Sequence, residues 1–326
     1  MKEKWNTFKR ELNDLLIPYL DKNIVLFGCN RSTYFIIDYL EKVYNKKVKA
    51  VIDLWERSPS STILHLYSFF YIYDKDDVIL NLTDKNVIEE FENAGEDWEN
   101  IRYSKEQIID IIPLLYGDDY NDIDYYSWLE YKYNIDFLGN IRRKYLDGED
   151  AHGYYPTDFK VLSQVFDKEV IREEDAAFDF GCGKGAFMSM LIQFGFSKVG
   201  GVEYTKKVYD TLITNCGLLG LDCFENQSHT SKDGVYVYNM DAGCLGEVLD
   251  DYNWFCLFNP FGLIKTKEVI NSIFQSMDRK PRKIHILYAE PMGDSILMDS
   301  GKFTRKEYKI DFYEGTYWTY LYTSNL

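Results

Sequence analysis

The chain has 326 residues, which exceeds the usual size of one domain and predicts two. Hydrophobic residues make up 46% of it and charged residues 28%, which is ordinary for a globular protein able to bury a core. The formal net charge of −16 disfavours a nucleic-acid substrate, because an acidic surface repels phosphate backbones.

The six cysteines and four histidines are scattered along the chain. No two cysteines form a C-x-x-C pair and the histidines are far apart, so neither a zinc site nor a disulfide framework is predicted. Residues 1–5 lack the apolar core of a signal peptide, and the longest apolar stretch, around 64–73, is too short to span a bilayer. We therefore expect a cytoplasmic protein with no membrane partner.

Residues 1–116 read as a small α/β domain with a parallel sheet. Helical spacing of apolar residues alternates there with short apolar runs, and the first three elements after the opening helix form a β-α-β unit. In chain order the patterns predict a helix over 5–20, a strand over 23–28, a helix over 32–43, strands over 48–53 and 78–82, and helices over 84–93 and 104–115.

The composition changes after residue 116. An acidic turn region at 117–122 precedes helical spacing of apolar residues from Trp128 to Ile141, so we interpret 117–165 as a helical bridge. The α/β pattern resumes over 166–326, with five strands, mostly separated by helices, and a terminal antiparallel hairpin. The predicted strands cover 176–180, 199–203, 234–239, 254–259 and 284–289, and the hairpin strands cover 308–312 and 316–323.

The first strand of this second half runs into a glycine-rich turn, and the segment from Asp179 to Gly185 reads Asp-Phe-Gly-Cys-Gly-Lys-Gly. Glycines there let the backbone approach a ligand closely, and the next helix presents unpaired N–H groups at its start. Glu203 ends the next strand, where a carboxylate can accept hydrogen bonds from both hydroxyls of an adenosine ribose. This arrangement suits either a dinucleotide or S-adenosylmethionine.

Two acids favour S-adenosylmethionine, although Gly181, Gly183 and Ala186 also satisfy the weak dinucleotide pattern G-x-G-x-x-G/A. Asp179 would repel a pyrophosphate but would pair with the ammonium group of a methionine moiety. Asp241 ends the third strand, where it can receive the adenine amino group. A solvated loop acid is the alternative interpretation of Asp241.

Over residues 150–326, these motifs in this order resemble class I S-adenosylmethionine-dependent methyltransferases. The resemblance implies that Asp179, the glycines and Glu203 contact the methionine and ribose, and that Asp241 holds the adenine. Many enzymes of this class also fold a Tyr-x-Pro-Thr/Ser-like segment over the cofactor, which corresponds here to residues 152–157. The expected cofactor-binding residues are Tyr155, Thr157, Asp179, Gly181, Gly183, Gly185, Glu203, Asp241 and Asn259.

The expected catalytic residues are Asn259, Phe261 and Glu290. Asn259-Pro260-Phe261 ends the fourth strand, beside the cofactor's sulfonium in this fold. It resembles the Asn/Asp-Pro-Pro-Tyr/Phe motif of amino-methylating enzymes, except that Phe261 replaces the second proline and Gly262 the aromatic residue. It also resembles the Asn-x-Phe of non-SET histone-lysine methyltransferases, and a plain β-turn is the alternative. Glu290, after the fifth strand, is a candidate base, a ligand for a cationic acceptor, or a capping residue.

The first domain is similar to Rossmann-like units of enzymes that handle nucleotide sugars and surface polysaccharides, over residues 22–100. Gly28 ends its first strand, and Asp53 ends its second strand as a ribose ligand would. Asn30 and Thr33 stand where glycines would be expected, so close approach of a phosphate is not expected. We interpret this domain as a structural or acceptor-recruiting module.

The sequence therefore predicts an S-adenosylmethionine-dependent methyltransferase that acts on a hydroxyl or amine of a small or sugar-linked acceptor. No base stands out among the motifs, so the choice between oxygen and nitrogen stays open. A protein lysine N-methyltransferase is one alternative, since an acidic surface suits a basic substrate. A non-catalytic nucleotide-binding scaffold that has kept the fold is the other. The oligomeric state stays open.

Overall fold

The computed structural model describes residues 1–28, 31–53, 63–65, 72, 74–82, 107–111, 124–139, 141–142, 146, 152–157, 165–166, 168–227, 232–312 and 315–325. The chain divides into two units. The first comprises residues 3–132 and 312–315, and the second comprises residues 1–2, 133–311 and 316–326. None of the helices within the described ranges combines the length and apolarity that crossing a membrane requires.

The first unit contains a five-stranded parallel sheet in the order β3-β2-β1-β4-β5. Its strands are β1 (Asn23–Phe27), β2 (Ala50–Asp53), β3 (Ile63–His65), β4 (Asp77–Asn81) and β5 (Ile108–Asp110). Its described helices are α1 (Lys2–Leu16), α2 (Arg31–Tyr44) and α3 (Tyr125–Tyr133). Rings of Phe8, Tyr125 and Trp128 pack edge-to-face or stacked, which joins α1 to α3 through an aromatic core.

Two helix predictions in the first part of the chain are corrected. Residues 108–110, predicted to be helical, form β5 and pair with β4, so that Ile108 lies opposite Ile79. An apolar run this short is compatible with both the helical and the strand period of hydrophobic residues, so pairing with the buried strand β4 determines its secondary structure. The helix predicted from Trp128 to Ile141 ends at Tyr133, because Asn134 takes a left-handed conformation with φ of 55°. The predicted helix over 84–93 lies outside the described residues.

The second unit contains an eight-stranded mixed sheet in the order β12-β13-β11-β10-β6-β7-β9-β8. Its strands are β6 (Ala176–Phe180), β7 (Lys198–Val202), β8 (Cys223–Glu225), β9 (Gly234–Tyr238), β10 (Trp254–Phe258), β11 (His285–Ala289), β12 (Phe303–Phe312) and β13 (Gly315–Ser324). Its helices, within the described ranges, are α4 (Ala186–Phe194), α5 (Lys206–Leu219), α6 (Leu263–Arg279) and α7 (Asp294–Asp299).

The strands from β6 to β11 are mutually parallel, and β13 pairs antiparallel with β11. The predicted α/β class is thus confirmed: a Rossmann-like sheet with a terminal antiparallel hairpin follows a smaller parallel α/β unit. The edge strand β8 is an addition that the sequence patterns did not predict.

The topology places a crevice between β6 and β10. After β6 the chain builds β7, β8 and β9 on one side of it, and then crosses to build β10 and β11 on the other. In open α/β sheets, ligands bind at such a switch point, outside the carboxyl ends of the strands. The glycine-rich turn follows β6 and the Asn259-Pro260-Phe261 segment follows β10, so both lie at this crevice.

A buried amide side chain on α5 links the glycine-rich turn to residues 136–138. The Asn215 side chain donates to the carbonyl oxygens of Asp136 (2.8 Å) and Lys184 (3.0 Å) and accepts from the Asp136 N–H (3.0 Å). The Lys184 ammonium in turn donates to the Leu138 carbonyl oxygen (2.7 Å) and pairs with the Asp136 carboxylate. Residues 136–138 are therefore fastened beside the turn by a buried polar network.

Candidate functional site

The glycine-rich turn is enclosed by the protein's own side chains. Gly181 and Gly183 have positive φ of 74° and 55°. A Cβ on Gly181 would lie 2.6 Å from the Pro260 Cβ, and one on Gly183 would lie 2.2 Å from the Tyr154 ring. The Gly181 N–H donates to the carbonyl oxygen of Val202 at 2.9 Å, which ties the turn to the end of β7. Glycine is therefore required at 181 and 183 both by conformation and by space.

Asp179 is a buried carboxylate with no counter-charge. It is only 3% exposed, and it makes no side-chain hydrogen bond or ion pair with any residue that the structure describes. Burial, together with the nearby charge of Glu203, raises the pKa of Asp179 well above its usual range. An ionised carboxylate in such a place is stable only when a cation or hydrogen-bond donors meet it.

Glu203 immediately follows β7 and is held by backbone amides. Its Oε1 accepts from the Thr205 N–H at 2.8 Å and its Oε2 from the Gly183 N–H at 3.2 Å. Burial raises the pKa of Glu203, although these amide hydrogen bonds act in the opposite direction. The amides orient the carboxylate across the turn and leave further lone pairs on both oxygens free to accept hydrogen bonds.

The chemistry of this crevice favours a cationic ligand. Across the described parts of the chain, no lysine or arginine pairs with Asp179 or Glu203, and no group of three or more metal-ligating side chains occurs. Two buried carboxylates therefore raise each other's electrostatic cost, and a positively charged organic ligand would relieve it. An anionic pyrophosphate would increase that cost.

Asp241, three residues after β9, is paired with its own neighbours. Its carboxylate accepts 2.9 Å hydrogen bonds from Lys265 on both oxygens and a 2.7 Å bond from the Gly243 N–H. Partial burial opposes ionisation, but the bonds from Lys265 and Gly243 outweigh it and lower the pKa of Asp241. The ion pair favours the alternative interpretation of Asp241 as a structural loop acid, and adenine binding would have to share these oxygens.

Asn259 immediately follows β10 and has a strained backbone and an unpaired side-chain oxygen. Its φ is 47°, and its side-chain Oδ1 is buried without a hydrogen-bond partner among the described residues. An unpaired buried amide oxygen costs on the order of 1–3 kcal/mol. Strained backbone and unsatisfied polar atoms persist mainly where function requires them. Oδ1 is thus an acceptor to which none of the described residues donates.

Phe261 and Glu290 differ in their surroundings, one in an apolar core and the other hydrogen-bonded to the backbone. Phe261 is 7% exposed and belongs to the same hydrophobic core as Tyr288, and its expected catalytic role stays a prediction. Glu290 follows β11 with φ of 50°; its N–H donates to the Trp318 carbonyl oxygen at 2.9 Å, and its Oε1 accepts from the Trp318 N–H at 3.3 Å. No cationic side chain of the described residues pairs with it.

The segment before the second unit's first strand contacts the turn through Tyr154. The neighbouring Tyr155 is 71% exposed and Thr157 is partly exposed, and their contacts with the cofactor stay a prediction. The Tyr154 ring lies against Gly183, and its hydroxyl donates to the Phe137 carbonyl oxygen at 2.6 Å. Adjacent tyrosines alternate between faces of an extended chain, and only the antiparallel bridge between Ile141 and Tyr154 shows which one faces inward.

The structure thus brings Asp179, Gly181, Gly183 and Glu203 together and sets Asn259 beside them through Pro260. Gly185, with φ of 91°, caps the start of α4. Sequence reasoning missed the role of Lys184, because its partners lie 46 to 48 positions away in the chain.

In the first unit, the prediction for the turn after β1 is only partly within the described residues. Gly28 has φ of 103°, and the buried Thr33 donates from its hydroxyl to the Gly28 carbonyl oxygen at 2.6 Å. Asn30 lies outside the described residues. Asp53 ends β2, and the absence of phosphate binding here stays a prediction.

No protein-family model matches the chain, and neither does any curated protein. Among solved structures, the chain is similar to a putative RNA methyltransferase from Pyrococcus horikoshii, with a TM-score of 0.39 and 15% identity over 63% of this chain and 100% of that one. A ribosomal protein L11 methylase from Lactobacillus delbrueckii subsp. bulgaricus gives a TM-score of 0.37 and 12% identity over 55% of this chain and 83% of that one.

TrmK from M. capricolum, in complex with S-adenosyl-homocysteine, gives a TM-score of 0.35 and 14% identity over 52% of this chain and 69% of that one. Similarity of this strength does not bear on activity. The functional assignment therefore rests on the geometry of the crevice.

We predict that Gly183→Ala destabilises the protein more than Gly220→Ala does. Both positions have positive φ, so an alanine costs backbone strain of roughly 1 kcal/mol at each. Only the Gly183 variant adds a clash, with the Tyr154 ring, since nothing lies within 4 Å of a Cβ on Gly220. Urea unfolding of the two variants checks this. Adding Tyr154→Ala should relieve part of the Gly183→Ala cost, and strictly additive losses would contradict the contact.

We also predict that Asp179→Asn stabilises the ligand-free protein in a pH-dependent manner. The folded-state pKa of Asp179 lies above its unfolded value, so the folded state binds the proton more tightly. Below the unfolded pKa of about 4, both states are protonated and the carboxyl has no effect; as pH rises through the folded pKa, the wild type loses stability relative to the variant.

Melting temperatures measured across this range should diverge as pH rises. The exposed Asp210→Asn on α5 serves as the control and should not show this divergence. A wild type that stays as stable as Asp179→Asn at neutral pH would contradict the account of Asp179.

Proposed function

We propose that this chain is an S-adenosylmethionine-dependent methyltransferase that acts on a hydroxyl or amine of a small or sugar-linked acceptor. The observation that carries the proposal is the pair of buried carboxylates, Asp179 and Glu203, which lack a counter-charge at the switch point of a Rossmann-like sheet. A ligand with a cationic end and a ribose satisfies both of them, whereas a dinucleotide brings a pyrophosphate that neither would tolerate.

The residues present fit this cofactor. Asp179 would accept the ammonium group of the methionine moiety, and Glu203, already oriented by amides, would accept hydrogen bonds from the ribose hydroxyls. When bound, S-adenosylmethionine supplies a methyl group on a positively charged sulfur, which is an activated leaving group. The enzyme's remaining task is to hold the acceptor in line with that methyl group.

Asn259 is the residue that we assign to this positioning. It immediately follows β10, the strand beside β6, and Pro260 packs against Gly181 of the turn. Its buried Oδ1 can accept a hydrogen bond from an acceptor N–H or O–H, which would orient a lone pair of the acceptor. Glu290, one strand further, then stands at the outer part of the acceptor site.

A protein lysine N-methyltransferase is the second candidate function, and one observation favours it. Glu290 has no cationic partner within the described residues, and beside it Trp318 and Met292 are exposed. A carboxylate flanked by apolar surface suits a lysine side chain, whose long aliphatic stem carries a charged head. Methylation of basic peptides but not of small acceptors would select this candidate.

We expect S-adenosylmethionine and S-adenosylhomocysteine, but not NAD, to raise the melting temperature, because a ligand that binds only the native state stabilises it. Asp179→Asn and Glu203→Gln should each weaken binding by about 1–3 kcal/mol in calorimetry, since each leaves polar groups of the ligand unpaired. Asp210→Asn is the matched control and should bind as the wild type does. Stabilisation by NAD alone would overturn the proposal, and binding of none of the three would favour a scaffold.

We expect Asn259→Gly to leave S-adenosylhomocysteine affinity nearly unchanged while methyl transfer falls at least about 100-fold, because positioning contributes several kcal/mol to in-line attack. Glycine is chosen because it keeps the left-handed backbone at position 259 without strain. Mass spectrometry detects methylated products after incubation with nucleotide sugars or basic peptides. Wild-type turnover by this variant would show that the segment is only a turn.

A further inference from the structure

His152 is joined to the end of β10 by two hydrogen bonds. Its main-chain N–H donates to the Pro260 carbonyl oxygen at 3.0 Å, and its ring Nδ1 lies 2.9 Å from the Asn259 carbonyl oxygen. Both contacts are made with the segment that we assign to acceptor positioning. The imidazole therefore stands beside the acceptor site and is held there by the backbone of that site.

The partner of Nδ1 determines the tautomer of the ring. A carbonyl oxygen can only accept, so Nδ1 must carry the proton and donate it. In the neutral imidazole, Nε2 then bears a lone pair and is a proton acceptor. His152 has no other side-chain contact with the described residues and is partly exposed, so Nε2 is available to a ligand.

Two hydrogen-bond acceptors thus belong to residues at the end of β10 or bonded to it. Asn259 Oδ1 is buried and unpaired, and His152 Nε2 is fixed by the carbonyl of the same Asn259. Neither can be satisfied by a ligand group that lacks a hydrogen to donate. The site is therefore complementary to a nucleophile that arrives with the proton that it must lose.

On this geometry we propose that His152 is the general base of methyl transfer, and that the acceptor is a hydroxyl or a protonated amine. The proposal rests on the proposed function. From a hydroxyl, Nε2 takes the proton while the oxygen bonds to the methyl carbon. From a protonated amine, Nε2 takes the proton first, and the lone pair that this leaves on the nitrogen then bonds to the methyl carbon. The bond from that carbon to the sulfonium sulfur breaks, the sulfur keeps the electron pair, and the proton later leaves Nε2 for water.

Two substitutions separate the basic role of His152 from its hydrogen bond to the Asn259 carbonyl oxygen. His152→Asn retains an N–H donor, the side-chain Nδ2, for the Asn259 carbonyl but has no basic atom. His152→Ala removes both and leaves a space that free imidazole can enter. We expect His152→Asn to bind S-adenosylhomocysteine as the wild type does, while methyl transfer to the acceptor found in the screen falls by about 10²–10⁴-fold, the usual contribution of a general base.

Imidazole added to the buffer should restore part of the rate of His152→Ala in a concentration-dependent manner and should not restore that of His152→Asn. A residue with a purely structural role would not respond in this way. Wild-type turnover in His152→Asn, with cofactor binding intact, would overturn the proposal while leaving the proposed function standing. Failure of S-adenosylhomocysteine to bind the wild type would overturn both.

A second readout needs no acceptor. The chain has four histidines, so in ¹⁵N-histidine-labelled protein the resonances that disappear in His152→Asn identify this ring. We expect the neutral ring to carry its proton on Nδ1. A neutral ring protonated on Nε2 would overturn the proposal, because the atom facing a ligand would then be a donor.

Discussion

The second unit is organised around the burial of Asp179 beside Glu203. A strand as apolar as Ala176–Phe180 has one charged residue, and that residue lies at the point where the sheet order reverses. Burial and mutual repulsion raise the pKa of Asp179, and nothing in the described residues offsets its charge. The fold therefore maintains a locally unfavourable site, which a cationic ligand would convert into a favourable one.

The surroundings of the turn keep that site in shape. Tyr154 and Pro260 fill the space over Gly183 and Gly181, so no side chain can be accommodated there. Asn215 and Lys184 fasten residues 136–138 alongside, with nearly all their polar atoms paired. The Oδ1 of Asn259 is buried and unpaired among the described residues, and we assign it to holding the acceptor.

The strands of the central sheet could be predicted from sequence because each is a short apolar run buried on both faces. Strands β3, β5 and β8 could not, since a run of three residues carries no period and only its pairing with a neighbouring strand defines it. The motif from Asp179 to Gly185 could be found in the sequence because its residues are close together in the chain. The choice of Tyr154 over Tyr155 and the tautomer of His152 depend on contacts with other segments, and no local pattern encodes them.

Proton release on cofactor binding tests the central claim most directly. If the ammonium group of the cofactor pairs with Asp179, binding must favour the ionised form of a carboxyl whose pKa is raised in the free protein. Calorimetric titration with S-adenosylmethionine, between about pH 5 and 8 and in buffers of different ionisation enthalpy, measures the protons released. The account predicts that the wild type releases protons on binding and that Asp179→Asn does not. Tight binding without any proton release across this range, or no binding at all, would contradict it.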